Sequence, residues 1–280
     1  MRCGTRLWVT LAMLLGSTAN AADKDARLYE LRVYYAAPGK LDALHARFRD
    51  HTLKLFERHG MTNIGYWVPE SNPDNRLVYL LAHKDRDSAT ASWKAFIADA
   101  DWQKAYKASE TNGKLAAKAD AFFLTATDFS PSLAAAKPGT DRVFELRTYV
   151  TPAKGLDAIQ ARFRDHTIKL FEKHGMTNLA YWSLAKDDKA TLGKLLTDVA
   201  PAGQEKFEGD AKLPAGPVTL VYLLAHDSVE KRTKSFDAFR ADPDWTKART
   251  ASEAKAGGSL TLKDGVKSLI LKATDYSPMK

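Results

Sequence analysis

The sequence predicts an α+β protein made of two tandem ferredoxin-like βαββαβ units. Their open sheet faces press together, so that one chain supplies both halves of what would otherwise be a homodimer. Three observations lead there. Leu44–Trp67 and Ile159–Trp182 match at 18 of 24 positions with an offset of 115 residues, which marks an internal duplication. Both copies open on kindred strands, YELRVY from Tyr29 and FELRTY from Phe144, and both close on ATDFSP or ATDYSP, from Ala126 and Ala273. Between them PSLAAAKPGTDR has the Ala, Pro and Gly content of a linker, which draws domains at 27–130 and 142–278 joined by 131–141.

The first strand alternates, with Tyr29, Leu31 and Val33 on one face and Glu30, Arg32 and Tyr34 on the other. We expect the apolar face to pack on the helices. That leaves the Glu-x-Arg-x-Tyr face, repeated as Glu145, Arg147 and Tyr149, pointing into the space between the sheets. Leu41, Leu44, Phe48, Leu55 and Phe56 stand at helical spacing and predict a helix over about 41–59, closed by Gly60 as a left-handed cap. IGYWV and RLVYLLAH flank the turn residues PESNPDN and read as a hairpin. A second helical region opens after DRDS, where Asp87 or Ser88 can cap it, and buries Trp93, Phe96, Ile97, Trp102 and Tyr106. AFFLTAT supplies the last strand.

The second copy is longer. Trp67 and Tyr79 are 12 residues apart, but Trp182 and Tyr222 are 40 apart, so an insert drawn at 183–217 adds 28 residues. Such a loop inside a compact domain is usually functional or disordered, and it is expected to act as a lid or to dock a partner. At the start of the chain, Arg2 and Arg6 precede an apolar run from Leu7 to Leu15, with small residues at Ala19 and Ala21. This reads as a cleavable signal peptide over 1–21 and predicts a periplasmic or secreted protein. Cys3, the one cysteine, would leave with it, so the exported chain has no disulfide or zinc-thiolate chemistry. The formal charge falls from +8 to +6 with the loss of Arg2 and Arg6, and the surplus is dispersed, which argues against nucleic acid as a partner.

Several side chains are candidates for function. Arg32, Tyr34, Arg147 and Tyr149 would form polar patches inside the barrel with Glu30 and Glu145, where Arg can hold a carboxylate or enolate. The same residues also suit Glu–Arg pairs that satisfy only themselves. His51 and His166 lie along the edge of the helical apolar stripe, partly covered, as a base, a ligand or a packed core histidine. His59 and His174 stand in the last helical turn as caps. His83 and His226 end the VYLLAH strands, at the expected barrel mouth. Tyr66 and Trp67, like Tyr181 and Trp182, point to opposite faces, so that one of each pair lines the barrel interior. Trp102 and Trp245 read as core anchors. No G-x-S-x-G, P-loop, Rossmann glycine run or H-E-x-x-H occurs, and no metal site is predicted.

The YELR-Y strand, the F--H--KLFE-HGM helix, the YW strand, the VYLLAH strand and the F--D-DW-KA---SE region, in that order and repeated, resemble the NIPSNAP family within the dimeric α/β-barrel superfamily. The resemblance implies the same α+β barrel and little about chemistry, since mitochondrial members are discussed as interaction and signalling proteins. The export signal sets this chain apart from them. Two functions follow as expectations. One is a non-catalytic exported protein that binds a small organic ligand, anionic or aromatic, or a protein partner, through the barrel and the insert. The other, implied by the superfamily, is a cofactor-independent oxygenase, an isomerase-like or a haem-using enzyme. In it Arg32/Arg147, Tyr34/Tyr149 and His51/His166 would work inside the barrel; no cofactor is predicted from the residues themselves.

Overall fold

A computed structural model describes residues 25–133, 142–152, 155–185 and 219–280. The expected signal peptide, most of the linker and most of the insert lie outside them. The first half contributes strands β1 (Leu28–Ala36), β2 (Thr62–Pro69), β3 (Arg76–His83) and β4 (Ala116–Ala126). The second contributes β5 (Val143–Val150), β6 (Thr177–Leu184), β7 (Thr219–His226) and β8 (Val266–Ala273). All eight close into one antiparallel barrel in the order β1-β3-β2-β8-β5-β7-β6-β4.

The halves meet along two seams. One pairs β2 with β8, from Trp67 opposite Ala273 to Pro69 opposite Leu271. The other pairs β4 with β6, from Leu124 opposite Leu184 to Ala126 opposite Trp182. Each half thereby covers the open edges of its twin, which is why a single copy would be left with unpaired backbone.

Helices coat the outside. The first predicted helix is three pieces: α1 (Leu41–Arg47), a π segment over Phe48–Thr52, and α2 (Leu53–Arg58). The second half repeats this as α5 (Leu156–Arg162), Phe163–Thr167 and α6 (Ile168–Lys173). The buried positions Leu44, Phe48, Thr52 and Phe56 recur every four residues. On an α-helix each such step drifts about 40° around the axis, and the wider π turn takes up that drift. Thr52 Oγ1 donates to the Arg47 carbonyl at 3.1 Å, and Thr167 to that of Arg162 at 3.2 Å, within the widened turn. Gly60 adopts φ 77° at the end, as its left-handed capping role requires.

The second helical region divides into α3 (Arg86–Ala98) and α4 (Ala100–Ser109), repeated as α7 (Val229–Ala241) and α8 (Pro243–Ala256). Asp85, one turn earlier than Asp87 or Ser88, caps α3 by accepting from the Ser88 amide at 2.8 Å. Asp99 then breaks the run in an extended conformation and caps α4 through the Asp101 amide at 2.8 Å. Among the described residues no helix is long and apolar enough to cross a membrane.

The two faces of the first strand are the reverse of the expectation. Tyr29, Leu31 and Val33 join Val78, Leu80, Phe122, Leu124, Phe144, Leu146, Leu223 and Leu271 inside the barrel. Glu30, Arg32 and Tyr34 point outward, under the helices. Alternation defines two faces without saying which is inner. An eight-stranded barrel is just wide enough to be filled by its own side chains, so it takes the apolar set from every strand. The helix side can accept Glu and Arg because helices bring polar partners. Trp67 and Trp182 supply the interior member of each aromatic pair, while Tyr66 and Tyr181 join the helix-side cores. What remains inside is a void of ≈ 10 Å³ walled by apolar residues, at the lower limit for one water. Among the described residues, packing leaves no room for a ligand inside the barrel.

Candidate functional site

Between each sheet and its helices lies a polar layer, a narrow cleft filled by its own side chains and built around a buried carboxylate. In the first half, Glu30 Oε1 accepts from Arg32 Nη1 at 2.6 Å. Its Oε2 lies 2.9 Å from His83 Nε2 and accepts from Trp93 Nε1 at 2.7 Å. In the second half, Glu145 accepts from Arg147 Nη1 at 2.6 Å, from Arg232 at 2.9 and 2.6 Å, and from Ser268 Oγ at 2.5 Å. His226 Nε2 is 3.2 Å away. Burial alone would raise both carboxyls. Hydrogen bonds from His83, Trp93 and Arg32 around Glu30, and from Arg232, His226 and Ser268 around Glu145, outweigh it, together with the arginine charges, and hold both groups below the ordinary carboxylate range.

Arg32 and Arg147 run outward from these carboxylates. Arg32 lies over the Trp93 ring, with its Cζ 4.3 Å from the centroid, and its Nη2 reaches the Tyr34 hydroxyl at 3.5 Å. Arg147 lies over Phe236 at 4.8 Å, donates from Nε to the Tyr222 hydroxyl at 2.8 Å and from Nη2 to Tyr149 at 3.3 Å. Burial opposes the charge of Arg147, but Tyr149, Tyr222 and Glu145 more than compensate and push its pKa up.

A second arginine enters each cleft from the helix side. Arg47 ends α1 with its Nη1 3.0 Å from Glu110 and 3.3 Å from Ser109 Oγ, and its Cζ 5.3 Å from the rings of both Trp102 and Tyr106. Arg162 ends α5 in the same place, over Trp245 at 5.0 Å. Its side chain is only 4% exposed, yet the closest Glu253 oxygen is 3.7 Å away, Ser252 is at 3.5 Å and its Nε has no partner. Arg249 replaces Tyr106 and adds like charge. Burial, followed by the weaker opposing effect of Tyr149, Glu253 and Tyr222, leaves the Arg162 pKa lowered. Arg162 is a buried cation with incomplete compensation.

The expected site residues are thus partly assembled. Glu30, Arg32, Tyr34 and His83 come together, as do Glu145, Arg147, Tyr149 and His226, in the sheet–helix clefts rather than inside the barrel. His83 and His226 are buried against the carboxylates, away from any barrel mouth, because their strand face turns to the helices. Tyr66 and Tyr181 lie deeper in the same helix-side layers, and Trp67 and Trp182 are walled off inside the barrel. His51 and His166 are exposed: the π turn rotates them out of the stripe on which α-helical spacing places them. His59 and His174 hold the C-cap positions as expected, but their Nε2 atoms turn to a carboxylate, Asp99 or Asp242, at 2.7 Å rather than to the free helix carbonyls. Trp102 and Trp245 are half-buried and pack tilted against Phe96 at 4.4 Å and Phe239 at 4.5 Å. The barrel interior and the sheet–helix clefts do not fit a haem, since the barrel has no room, His83 and His226 are held by carboxylates, and His51 and His166 stand outside. Among them no three metal-ligating side chains cluster.

Sequence reasoning read Trp93 only as a core residue and Arg47 as a surface charge, and it missed Arg162 and Arg232. The signal for Arg47 and Arg162 was present. Each lies three residues after a buried apolar position, Leu44 or Ile159, on the inward stripe of a helix where a cation needs a reason.

The model of the NIPSNAP family matches residues 29–131. Among solved structures, a candidate monooxygenase from Fusobacterium nucleatum is similar over 89% of this chain and 92% of its own, at 7% identity and a TM-score of 0.53, which supports the barrel fold alone. A NIPSNAP domain protein from Burkholderia xenovorans matches 38% of this chain and 99% of its own, at 23% identity and a TM-score of 0.34. A NIPSNAP family protein from Agrobacterium tumefaciens matches 38% of this chain and 98% of its own, at 21% identity and a TM-score of 0.35. No match was found among curated proteins.

Proposed function

We propose that this chain, whose residues 29–131 match the model of the NIPSNAP family and whose second half repeats that unit, is a binding protein for a small organic anion, taken up in the second sheet–helix cleft. The observation that carries this reading is Arg162. A buried guanidinium whose carboxylate partner, Glu253, stays 3.7 Å away is incompletely compensated, and an added anion would relieve it. Arg147 and Arg232 pair with Glu145, Arg162 faces Glu253 near Tyr149 and Tyr222, and Arg249 adds further positive charge. Trp245, Tyr149 and Phe236 offer aromatic walls, so an aromatic carboxylate suits the site. The reading is non-catalytic because the groups able to move a proton are engaged: His226 and Glu145 hold each other, and His166 is on the outer surface. Export through residues 1–21 belongs to the same proposal, and the N-terminus of the secreted protein should begin at Ala22.

Titration with benzoate, followed by calorimetry, tests it. Arg162→Met should keep or raise thermal stability, since an apolar side chain of similar length replaces a poorly paired charge. Its benzoate affinity should fall at least ~10-fold, the loss of one charge-assisted hydrogen bond. Equal binding by wild type and Arg162→Met, or no benzoate binding at all, would overturn the reading.

A further inference from the structure

The two seams share a plan and differ in chemistry. At each, an arginine of the π segment grips an aspartate that follows the last strand of the other half: Arg49 holds Asp275 at 2.7 and 2.8 Å, and Arg164 holds Asp128 at 2.8 and 2.7 Å. Around Arg164 the polar groups of Gln160, Ser183 and Thr127 are engaged with described partners. Gln160 Nε2 donates to Ser183 Oγ at 2.7 Å, Thr127 Oγ1 donates to the Tyr181 carbonyl at 3.2 Å, and Phe129 presents no polar atom.

Around Arg49 the equivalent residues are His45, Val68, Thr274 and Tyr276. His45 Nδ1 lies 2.7 Å from the Tyr276 hydroxyl, which fixes the ring. Val68 removes the hydroxyl that would have filled the space beside it. Thr274 is 8% exposed, and its buried Oγ1 makes no well-formed hydrogen bond, with the Tyr276 hydroxyl beside it. Asp42, His45, Arg49, Val68, Thr274 and Asp275 line an open cavity of ≈ 360 Å³. That is large enough for a small ligand.

The lining carries two carboxylates and one guanidinium. Arg49 neutralises Asp275, which leaves the Asp42 charge without a cationic partner among the described residues. Burial pushes His45 below its ordinary value, so the imidazole adds no opposing charge near neutral pH. The cavity therefore offers a net negative field, a buried hydroxyl able to accept, and an apolar floor. We propose that the first seam is a binding site for a small organic ammonium ion, with Asp42 as its counter-ion and the Thr274 hydroxyl as a further acceptor. The second seam, closed by Gln160 and Ser183, does not bind it.

The test is an NMR titration of the full exported chain with benzylamine, using benzyl alcohol as the neutral control. Benzylamine should perturb the His45 and Tyr276 ring signals and bind at least ~10-fold more tightly than the alcohol. Asp42→Asn, at an exposed position, should abolish that preference. The triple variant H45Q/V68S/Y276F, which gives the first seam the residues of the second, should abolish binding while Q160H leaves it unchanged. Equal binding of amine and alcohol, no perturbation at the first seam, or unaltered binding in Asp42→Asn would each overturn the proposal. None of these outcomes bears on the anion cleft, whose residues are untouched.

Discussion

The carboxylates Glu30 and Glu145 occupy the same place in the two halves and are satisfied by different neighbours. In the first half Trp93 donates its indole N–H, and Ala89 stands one helical turn before it. In the second half Phe236 takes the place of the tryptophan and can donate nothing, while Arg232 takes the place of the alanine and donates twice. Ser268, opposite Arg147 where the first half has Ala121 opposite Arg32, adds another donor. A buried carboxylate constrains the number of donors around it more than their identity. The exchange also leaves the second cleft with one more cation, so the half with the stronger claim to an anion is the one that lost its tryptophan.

Removing the carboxylate breaks this comparison most severely. Glu145→Ala strands Arg147 and Arg232 and should cost about 3–5 kcal/mol in urea unfolding. Arg232→Ala should cost less, about 1.5–3 kcal/mol, because Arg147, His226 and Ser268 remain. If donor number is what matters, the double variant R232A/F236W, which installs the first-half arrangement, should recover most of that loss. No recovery would show that the two networks are not interchangeable.

Acid probes the same pair. Both carboxyls are held below their ordinary value, so their stabilising contribution is fully present above the unfolded carboxylate pKa of about 4 and is lost as pH falls through the depressed folded values. Unfolding free energy measured from neutral pH down to about pH 3 should decline steeply, and Glu145→Gln should flatten the slope more than Glu30→Gln. An unchanged slope in both variants would separate these residues from acid sensitivity.

A smaller difference lies inside the barrel. Gly65 leaves room for the Trp67 ring, since a Cβ there would come within 2.3 Å of two indole carbons. In the second half the equivalent residue is Ala180, and Trp182 packs beside it. Gly65→Ala must displace a buried ring and should cost about 1–3 kcal/mol. Ala180→Gly should cost about 0.5–1 kcal/mol, the backbone penalty alone. Similar losses in both would mean that the two tryptophans are held alike.

Much of the architecture was legible because it rests on periodicity and repetition. The duplication, the βαββαβ order, the opposed faces of Tyr66 and Trp67, and the Gly60 cap all come from spacing. The inner face of the barrel was not legible from β1 alone. Tyr29, Leu31 and Val33 suit a helix-covered face as well as a barrel interior, and only the other seven strands decide between them. The residues of the cleft could be read, but its location followed the strand face and was misplaced with it. Arg47 and Arg162 were missed, although their spacing from Leu44 and Ile159 puts a cation on an apolar stripe. The pairing of Arg232 with Glu145 was not legible, because 87 residues separate them and neither motif names the other.

The π segments yield the smallest and most discriminating prediction. Ordinary helical spacing places His51 and His166 beside the apolar stripe, where replacing a packed histidine would leave a cavity and unpaired groups. In the structure both are exposed, and the widened turn held by Thr52 and Thr167 is what exposes them. His51→Ala and His166→Ala should therefore each change stability by no more than about 0.5 kcal/mol and leave benzoate binding intact. Thr52→Val and Thr167→Val remove the hydroxyl that bonds within the π turn, at buried positions, and should cost about 1 kcal/mol each. If the histidine variants instead destabilise more than the threonine variants, the turn does not hold its π geometry in solution, and the inward placement of Arg47 and Arg162 at its head must be reconsidered with it.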